Sequence, residues 1–544
     1  MVDPAQSQTP GTLGHSMREN REAPQVSVRQ SQADRLEKAM SHNPNTNACG
    51  ESDSAVVPTK CPNKGAVRPA EGMEGRALAK KNHDQASTCR TQSRESVSQG
   101  LAGVRQAARQ GKGKKVRFTA LMHHITVELL RLSYASLRKD AAAGVDGVTW
   151  EQYGTELESR LKDLHERIHR GGYRAQPSRR VYIRKEDGRQ RPLGIATLED
   201  KIVQQAVVTV LNLIYEEEFQ GFSYGFRPGR NQHQALDALN VGLRRRRINW
   251  VLDCDIRGFF DNVKHEWMMQ FLEHRIADKR MLRLIQKWLQ AGVIENEDWT
   301  ETEAGTPQGA VVSPLLANVY LHHVFDLWVA AWRRKSAKGD MIVVRYADDI
   351  VIGFQHRAEA ERFWRELGDR ARKFGLELHP EKTRLIEFGR YAKANREQRG
   401  EGKPETFSFL GFTHYCAETY QGGYFTVRRK TIGKRLRAKL REIEDELRKR
   451  WHESIVVTGK WLRSVVQGYF RYHAVPGNFA ALTTMVREVT RAWLRALRRR
   501  SQRDRFKWQR FQPIVKQYIP RPRILHPEPG PRFDARIQGR SRMH

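Results

Sequence analysis

The stretch MIVVRYADDIVIGF, residues 341–354, holds two adjacent carboxylates between two apolar runs. Each run is long enough for a strand, and the tight turn at Ala347–Asp349 predicts that the two strands pair as an antiparallel hairpin. Acidic side chains are costly inside an apolar hairpin unless they are paired or hold a metal ion. Turn chemistry is the alternative explanation, because aspartate favours hairpin turns.

A second apolar run, WVLDCDIRGFFDN at residues 250–262, also ends in acidic residues. It predicts a buried strand that carries Asp253 and Asp255, with Asp261 as a helix or turn cap beyond it. A carboxylate at the end of a separate strand, about 90 residues before the pair, makes turn chemistry alone a poor explanation. Three such carboxylates fit a two-metal phosphoryl-transfer site, since Mg²⁺ takes hard oxygen ligands and keeps water and phosphate in its shell.

At these residues a family resemblance appears. The run YADD at 346–349 is similar to the YxDD box of reverse transcriptases, and other blocks of the polymerase palm stand in the same order as in that family. DIRGFF resembles the block with the first catalytic Asp, and GTPQG with the following SPLLANVYL resembles the block whose Gln lies beside the incoming nucleotide. GLELHPEKT resembles the later block with a basic residue near the phosphates, and FLGF resembles the segment that grips the primer. Together these blocks cover roughly residues 115–415.

The resemblance implies an α+β fold: a right hand of fingers, a palm with an antiparallel sheet, and an α-helical thumb or maturase domain. The N-terminal tract is rich in Ser, Gln, Gly and Pro, which favours disorder, with an RNA-contacting arm as the alternative. The expected divisions are a disordered or poorly ordered extension at 1–112, an N-terminal block and fingers at 113–250, the palm at 251–415, the thumb at 416–510 and a basic, Pro-rich tail at 511–544.

The family motifs imply metal ligation by Asp255, Asp348 and Asp349 and by the backbone carbonyl of Ile256. Asp255 is chosen over Asp253 because the family places its Asp five residues before an aromatic residue, here Phe260. Asp253 is expected to point to the opposite face of the strand.

Five side chains are expected to contact the incoming nucleotide: Lys185, Arg191, Phe260, Gln308 and Lys382. Lys185 and Arg191 flank the KEDGRQR hairpin, which could close on a triphosphate, although a solvated basic turn is the alternative. Phe260 would be a steric gate that rejects a 2′-hydroxyl, or else a core residue like its neighbour Phe259. Lys382 could protonate the leaving pyrophosphate, or lie exposed in a turn.

The net charge of +34 predicts a polyanionic partner, with a merely soluble basic protein as the alternative. Residues 428–510 carry 24 Lys or Arg against 7 Asp or Glu, and this excess is half of the net charge. The stretch WLRSVVQGYFRYHAVPGNFAAL within them resembles the characteristic stretch of the maturase domain. The expected RNA-binding residues are Arg428, Arg429, Lys430, Lys434, Arg463 and Arg471. Aromatic residues of this stretch could stack on unpaired bases, but we expect at least half of Trp461, Tyr469, Phe470 and Tyr472 to pack in the core.

Among reverse transcriptases, the blocks AAAGVDGVTW, PLGIATLEDKIVQQAV and GFSYGFRPGRNQHQAL resemble the group II intron lineage. The resemblance implies an RNA-directed DNA polymerase that uses dNTPs, an RNA template and a DNA primer or target, with two Mg²⁺ ions for which Mn²⁺ is a possible substitute. It also implies a maturase that binds intron RNA and promotes splicing and mobility. The alternatives are a domesticated relative that acts in DNA repair or phage defence, and an RNA-splicing cofactor without polymerase activity.

Other classes of protein are not favoured. There is no run of about 18 apolar residues and no signal peptide, so we expect no membrane association and a location in the bacterial cytosol, near the nucleoid. Five scattered cysteines without a CxxC pair indicate neither a disulfide framework nor a zinc site. No CxxC pairs or His-rich nuclease motif follow residue 510, so the resemblance implies a protein without a C-terminal HNH endonuclease domain. Dimerisation is left open.

Overall fold

The structure is a computed structural model. It describes residues 95, 97–112, 116–184, 190–295, 298–300, 304–306, 309–419, 422–500 and 506–538. Most of the tract predicted to be disordered lies outside these residues, and so do Lys185 and Gln308.

Eleven strands, numbered in chain order, are assigned among the described residues: β1 (Ser178–Arg184), β2 (Gln190–Ile195), β3 (Trp250–Cys254), β4 (Val293–Glu295), β5 (Asp298–Thr300), β6 (Met341–Tyr346), β7 (Asp349–Phe354), β8 (Arg384–Glu387), β9 (Phe407–Phe409), β10 (Phe412–Glu418) and β11 (Phe425–Thr431). They form three sheets with the orders β2-β1-β4-β5, β6-β7-β3-β8 and β11-β10-β9.

The helices of the described residues lie around and after these sheets. Their bounds are 97–110, Val127–Ser136, Trp150–Gly154, Leu157–Arg170, Leu198–Glu218, Gln232–Arg245, His265–Glu273, Lys279–Gln290, Ser313–Leu321, Leu327–Lys335, Arg357–Lys373, Ala392–Gln398, Gly433–Lys449, Ile455–His473, Phe479–Arg498, Trp508–Tyr518 and Pro529–Gln538. The predicted α+β architecture, with an antiparallel central sheet and a helical C-terminal region, is confirmed.

The central sheet β6-β7-β3-β8 positions the predicted carboxylates. All its neighbouring strands are antiparallel, and the hairpin predicted from residues 341–354 is present as β6 and β7. Helix Gln232–Arg245 packs against β6, and helix Arg357–Lys373 packs against β3 and β7. Because both faces are covered, these strands read as nearly continuous Val and Ile runs rather than as alternating patterns.

The strand pair predicted around KEDGRQR is also confirmed, since β1 and β2 are antiparallel with Ile183 opposite Arg191. The FSFLGF segment forms β9 and the start of β10. Leu410 and Gly411 between them have positive φ values of 45° and 81°, as a two-residue primed turn requires.

Two helices at the ends of the described chain differ from the expected divisions. Helix 97–110 lies within the tract predicted to be disordered, and its residues Val97, Leu101, Val104 and Ala108 are buried at helical spacing. Helix Trp508–Tyr518 crosses the predicted end of the thumb at residue 510. Phe511 and Tyr518 pack into the same hydrophobic cluster as helices Gly433–Lys449, Ile455–His473 and Phe479–Arg498, which lie in the predicted thumb.

The apolar stretch 313–335 forms two α-helices, Ser313–Leu321 and Leu327–Lys335, which are joined by a π-helical turn, His322–Asp326. Among the residues that the structure describes, no helix combines the length and the apolar character needed to cross a membrane.

Candidate active site

The turn between β6 and β7 carries two of the predicted carboxylates. Tyr346 and Asp349 are the last pair of the ladder, which leaves Ala347 and Asp348 as the turn residues. Ala347 has a φ of 56°, as the first position of a two-residue primed turn requires. Asp348 and Asp349 are half-buried at the end of the sheet, while Tyr346 is buried.

The third predicted carboxylate lies next to this turn. Cys254 of β3 stands opposite Ile350 of β7. The residue after Cys254 therefore comes beside the residue before Ile350, which places Asp255 and Asp349 at the same end of the sheet. The strand register thus brings the three aspartates of two distant motifs to one end of the sheet.

The segment GLELHPEKT, residues 375–383, supports Asp255. The amide of His379 donates a hydrogen bond to the carbonyl of Asp255 at 2.7 Å, and the amide of Asp255 donates to the hydroxyl of Thr383 at 3.3 Å. The Nζ of Lys382 lies 3.5 Å from Oδ2 of Asp255. Lys382, predicted near the phosphates, therefore stands beside a predicted metal ligand, and the positioning contacts of His379 and Thr383 were not foreseen from the motif.

The donor set at this end of the sheet is chemically suited to Mg²⁺, which is commonly bound by one or two carboxylates together with water and substrate phosphate. Within the described parts of the chain, no group of three or more His, Cys, Asp or Glu side chains is arranged so as to hold a metal ion. Asp255, Asp348 and Asp349 are the side chains at this end of the sheet that could hold such a cation, and their ligation stays a prediction. Ile256 is buried directly after Asp255, and ligation by its carbonyl stays a prediction.

Two neighbouring aspartates differ from what was predicted. Residues two apart on a strand point to the same face, so the prediction that Asp253 faces away from Asp255 was wrong. The two aspartates differ instead in their position along β3. Asp253 is paired with residues of both β7 and β8 inside the sheet, whereas Asp255 follows the last paired residue. Asp261, predicted as a cap, is an exposed residue of the 3₁₀ turn Phe259–Asp261.

The two phenylalanines after the strand occupy different environments. Phe259 is 1% exposed and lies in the core, as predicted, while Phe260 is half-buried and packs edge-to-face on it with a centroid distance of 5.2 Å. The amide of Thr306 donates to the carbonyl of Phe260 at 2.8 Å. Gly305 has a φ of 92°, and a Cβ there would stand 2.9 Å from the same carbonyl. The start of the GTPQG block is therefore fitted against Phe260.

The residues at the other end of that block contact elements of the predicted fingers. The side chain of Gln204, in helix Leu198–Glu218, accepts a hydrogen bond from the amide of Val311 at 2.9 Å. A Cβ on Gly309 would stand 2.7 Å from the carbonyl of Gly194 in β2. Gln308 itself lies outside the described residues, but both of its flanks are held, one by Phe260 and the other by the strand that carries Arg191. Lys185 also lies outside the described residues.

The predicted RNA-binding residues fall into two groups. Lys430, Lys434, Arg463 and Arg471 are exposed, and Arg428 is half-buried. Arg429 is a correction: it is 1% exposed, its Nη2 lies 3.6 Å from Oδ1 of Asp237, and burial lowers its pKa to about 10. An enclosed guanidinium cannot meet a phosphate. The alternation of β11, in which Val427, Arg429 and Thr431 share the inward face, was the signal that could have identified it.

The exposed arginines of helix Ile455–His473 border a groove that was not predicted. Its volume is about 370 Å³. Arg463 and Arg471 line it together with Arg521 and Arg523, which come from the segment predicted to be a tail. Tyr469 and Phe470 are buried, as expected for at least half of the aromatic residues here.

Several known proteins are similar to this chain in sequence. Residues 183–414 match the family described as reverse transcriptase (RNA-dependent DNA polymerase). The group II intron-encoded protein LtrA of Lactococcus lactis subsp. cremoris is 37% identical over 209 residues, which are 38% of this chain and 35% of that protein. Protein YkfC of Escherichia coli K12 is 35% identical over 252 residues, covering 40% of this chain and 66% of that protein.

A more distant relative is the mitochondrial nuclear intron maturase 4 of Arabidopsis thaliana, 24% identical over 199 residues, which are 36% of this chain and 23% of that protein. The chain thus spans about a third of the length of the lactococcal relative and 66% of the E. coli relative. The resemblance to group II intron-encoded reverse transcriptases and maturases that the motifs predict is confirmed.

Proposed function

Since residues 183–414 belong to the reverse transcriptase family, we propose that the protein is the RNA-directed DNA polymerase of a group II intron and that it also serves as the maturase of the intron. The observation that carries the proposal is the strand register that brings Asp255 beside Asp348 and Asp349. Placed at the open end of a buried sheet, these carboxylates have the chemistry of a nucleotidyl-transfer site.

In this proposal the three aspartates hold divalent cations, Mg²⁺ or Mn²⁺. Two such ions, when bound, would activate the attacking 3′-hydroxyl and neutralise charge on the leaving pyrophosphate. The protein provides an arrangement that exists before the substrate arrives, because His379 and Thr383 fix the backbone of Asp255 and the ladder fixes that of Asp349. Such preorganisation is a principal source of rate enhancement in phosphoryl transfer.

The nucleotide would lie between this site and the fingers. Phe260 would stand under the sugar, and its half-buried ring would clash with a 2′-hydroxyl. Arg191 and Lys185 would meet the triphosphate from the β1–β2 hairpin, and Gln308 would lie beside the nucleotide. Lys382, at 3.5 Å from Asp255 Oδ2, stands near enough to the proposed cations to meet the leaving pyrophosphate.

The maturase role is supported by the basic surface after the palm. Lys430, Lys434, Arg463 and Arg471 are exposed on β11 and on two helices. Lysine and arginine on such a surface attract RNA chiefly through phosphate contacts, so we expect its binding to weaken strongly as salt rises. Intron RNA would be the partner, and the bacterial cytosol near the nucleoid the location.

Primer extension on poly(rA)/oligo(dT) with dTTP and Mg²⁺ tests the enzymatic part, with the Asp348→Ala variant beside the wild type. We expect extension by the wild type and a loss of at least about 100-fold in the variant, as for removal of one preorganised group. Asp163→Ala is the matched control, because this aspartate is exposed on a helix.

Splicing of the intron RNA that flanks the gene, measured with the same variants, tests the maturase part. Retention of splicing by Asp348→Ala would separate the two activities. A wild type that extends no primer but promotes splicing would contradict the polymerase proposal and favour a splicing cofactor, and a gene without flanking intron domains would favour a domesticated enzyme.

A further inference from the structure

Arg345, the residue before the YADD turn, is buried without any exposed surface. Its guanidinium is fully used. Nε donates to Oδ1 of Asp326 at 2.7 Å, and Nη2 donates to Oδ2 of Asp326 at 2.6 Å and to Oγ of Ser223 at 2.7 Å. Nη1 donates to Oδ1 of Asn318 at 3.0 Å and to the carbonyl of Ala347 at 3.1 Å. The buried guanidinium of Arg345 therefore connects the YADD turn to two other elements.

The first of these elements is the segment FSYGF at residues 222–226. The amide of Arg345 donates to the carbonyl of Phe222 at 2.9 Å, and the amide of Tyr224 donates to the carbonyl of Arg345 at 2.8 Å. A Cβ on Gly225 would stand 2.3 Å from the amide nitrogen of Ala347. Only glycine lets the segment lie this close behind the turn, so FSYGF forms the back wall of the YADD hairpin.

The second element is the interrupted helix after Ser313. Asn318 accepts from Arg345 and donates its Nδ2 to the carbonyl of Gly225 at 2.8 Å, so it joins the back wall to the guanidinium. Asp326 ends the π-helical turn His322–Asp326 and is also fully buried. Burial would raise the pKa of the Asp326 carboxyl, but Arg345 and His322 outweigh it and hold the pKa below its usual value.

A buried ion pair of this kind is weak evidence for stability. The free energy of removing two charges from water is about as large as their mutual attraction. Replacing such a pair by apolar side chains therefore often leaves the stability of the fold unchanged or increases it. What an apolar pair would not provide is the directed hydrogen bond to Ala347. That residue has a φ of 56° without being glycine, and such conformations persist only where the surroundings hold them.

We infer that Arg345, anchored by Asp326 and Asn318 and backed by the FSYGF segment, is a positioning residue that holds the YADD turn at the distance from Asp255 at which both can share divalent cations. The inference rests on the proposed polymerase function, since it assigns a role within the same site. Arg345 touches neither substrate nor cation; it acts through the carbonyl of Ala347.

The double variant Arg345→Met/Asp326→Leu removes the charges together and keeps apolar volume, so that no unpaired buried charge remains. We expect a folded protein by circular dichroism, with a kcat lower by about 10- to 100-fold, as for a catalytic group displaced by about 1 Å. The KM for dTTP should stay within about 2-fold of the wild type, because the β1–β2 hairpin and Phe260 are untouched. Mn²⁺ binding to the protein alone, followed by electron paramagnetic resonance, should weaken by at least about 10-fold, as for loss of a group that orients metal ligands, because the displaced turn no longer brings its carboxylates beside Asp255.

The control is Arg532→Met, which removes another Arg–Asp contact, the part-buried one with Asp237, and involves none of residues 345–349. We expect it to lower the melting temperature without changing kcat or Mn²⁺ affinity. Gly225→Ala is the second test variant, since its Cβ must push the turn from behind, and we expect the same loss of kcat and of Mn²⁺ affinity.

A folded double variant with wild-type kcat and wild-type Mn²⁺ affinity would overturn the inference. If the double variant does not fold, the same result in Gly225→Ala would overturn it. If the wild type itself extends no primer, the polymerase proposal fails, but the Mn²⁺ titration of the variants still decides whether Arg345 positions the carboxylates.

Discussion

We expect Lys382 to weaken metal binding but to increase turnover. Its Nζ lies 3.5 Å from Oδ2 of Asp255, and the two side chains are 20% and 11% exposed. At an effective dielectric constant of about 20, two unit charges at this distance attract by about 5 kcal/mol. Most of this is offset by lost hydration, and a net of about 1 kcal/mol is typical of such a contact.

A divalent cation that binds Asp255 must compete with this ammonium group. Lys382→Met removes the competitor, so we expect Mn²⁺ to bind the nucleic-acid-free protein about 5-fold more tightly, which corresponds to about 1 kcal/mol. Turnover should fall instead, by about 100-fold, if Lys382 protonates the leaving pyrophosphate. The two quantities are measured by a Mn²⁺ titration with electron paramagnetic resonance and by steady-state primer extension.

Lys382→Arg separates charge from proton donation. An arginine keeps the positive charge but does not release a proton at neutral pH, so this variant should bind Mn²⁺ like the wild type and turn over like Lys382→Met. Lys393→Met is the control, because the Lys393–Glu418 pair is exposed, with side chains 59% and 55% accessible. Unchanged or weaker Mn²⁺ binding in Lys382→Met would refute the competition, and wild-type turnover in Lys382→Arg would refute the proton transfer.

Three further outcomes are expected. Phe260→Val should lower the preference for dTTP over UTP, in kcat/KM, by at least about 10-fold, and an unchanged ratio would mean that the ring only packs. Asp278→Asn should lower the free energy of unfolding in urea at pH 7 by about 1–3 kcal/mol, because the carboxylate accepts hydrogen bonds from four backbone amides, those of residues 121, 122, 280 and 281. Burial would raise the pKa of Asp278, but these hydrogen bonds outweigh burial and lower the pKa. The carboxylate therefore stabilises the fold above its ordinary pKa, and this stabilisation is lost as the pH falls through the lowered pKa. A difference in unfolding free energy between the wild type and Asp278→Asn that grew in acid would contradict this. Burial lowers the pKa of His414 to about 3, so between about pH 6.5 and pH 3 the unfolded chain binds more protons than the folded chain, and acidification lowers the free energy of unfolding. From pH 7 to pH 5 the wild type should lose up to about 2 kcal/mol more of this free energy than His414→Phe. Equal losses for the two proteins in urea titrations would contradict the prediction.

Much of the site could be predicted because its parts are encoded locally. The hairpin at 341–354 follows from two apolar runs about a two-residue turn, and Phe259 and Phe260 differ as predicted in burial. The five-residue spacing from Asp255 to Phe260 came from the family resemblance and not from strand geometry. The geometric reason for preferring Asp255 to Asp253 was wrong, since alternation puts both on one face, and only the end of the ladder separates them.

The basic surface shows where composition misleads. A count of Lys and Arg treats Arg428, Arg429 and Lys430 alike, yet Arg429 is enclosed beside Asp237. The partner belongs to helix Gln232–Arg245, almost 200 residues earlier in the chain. Arg521 and Arg523 were missed for the converse reason, because a segment rich in Pro and Arg was taken for a tail although it lines a groove with Arg463 and Arg471.

Periodicity and motif order were sufficient for the strand hairpins at 341–354 and around KEDGRQR and for the choice of candidate carboxylates, since strands, turns and helices are selected by interactions between residues within a few positions of one another. The contacts between these elements depend on how distant parts of the chain pack. They are the contacts of Lys382 with Asp255, of Gln204 with Val311, and of Arg345 with Asp326, Ser223 and Ala347. Such contacts form only in the folded chain, because strand register and burial determine which partner each polar or charged side chain meets, and local sequence does not.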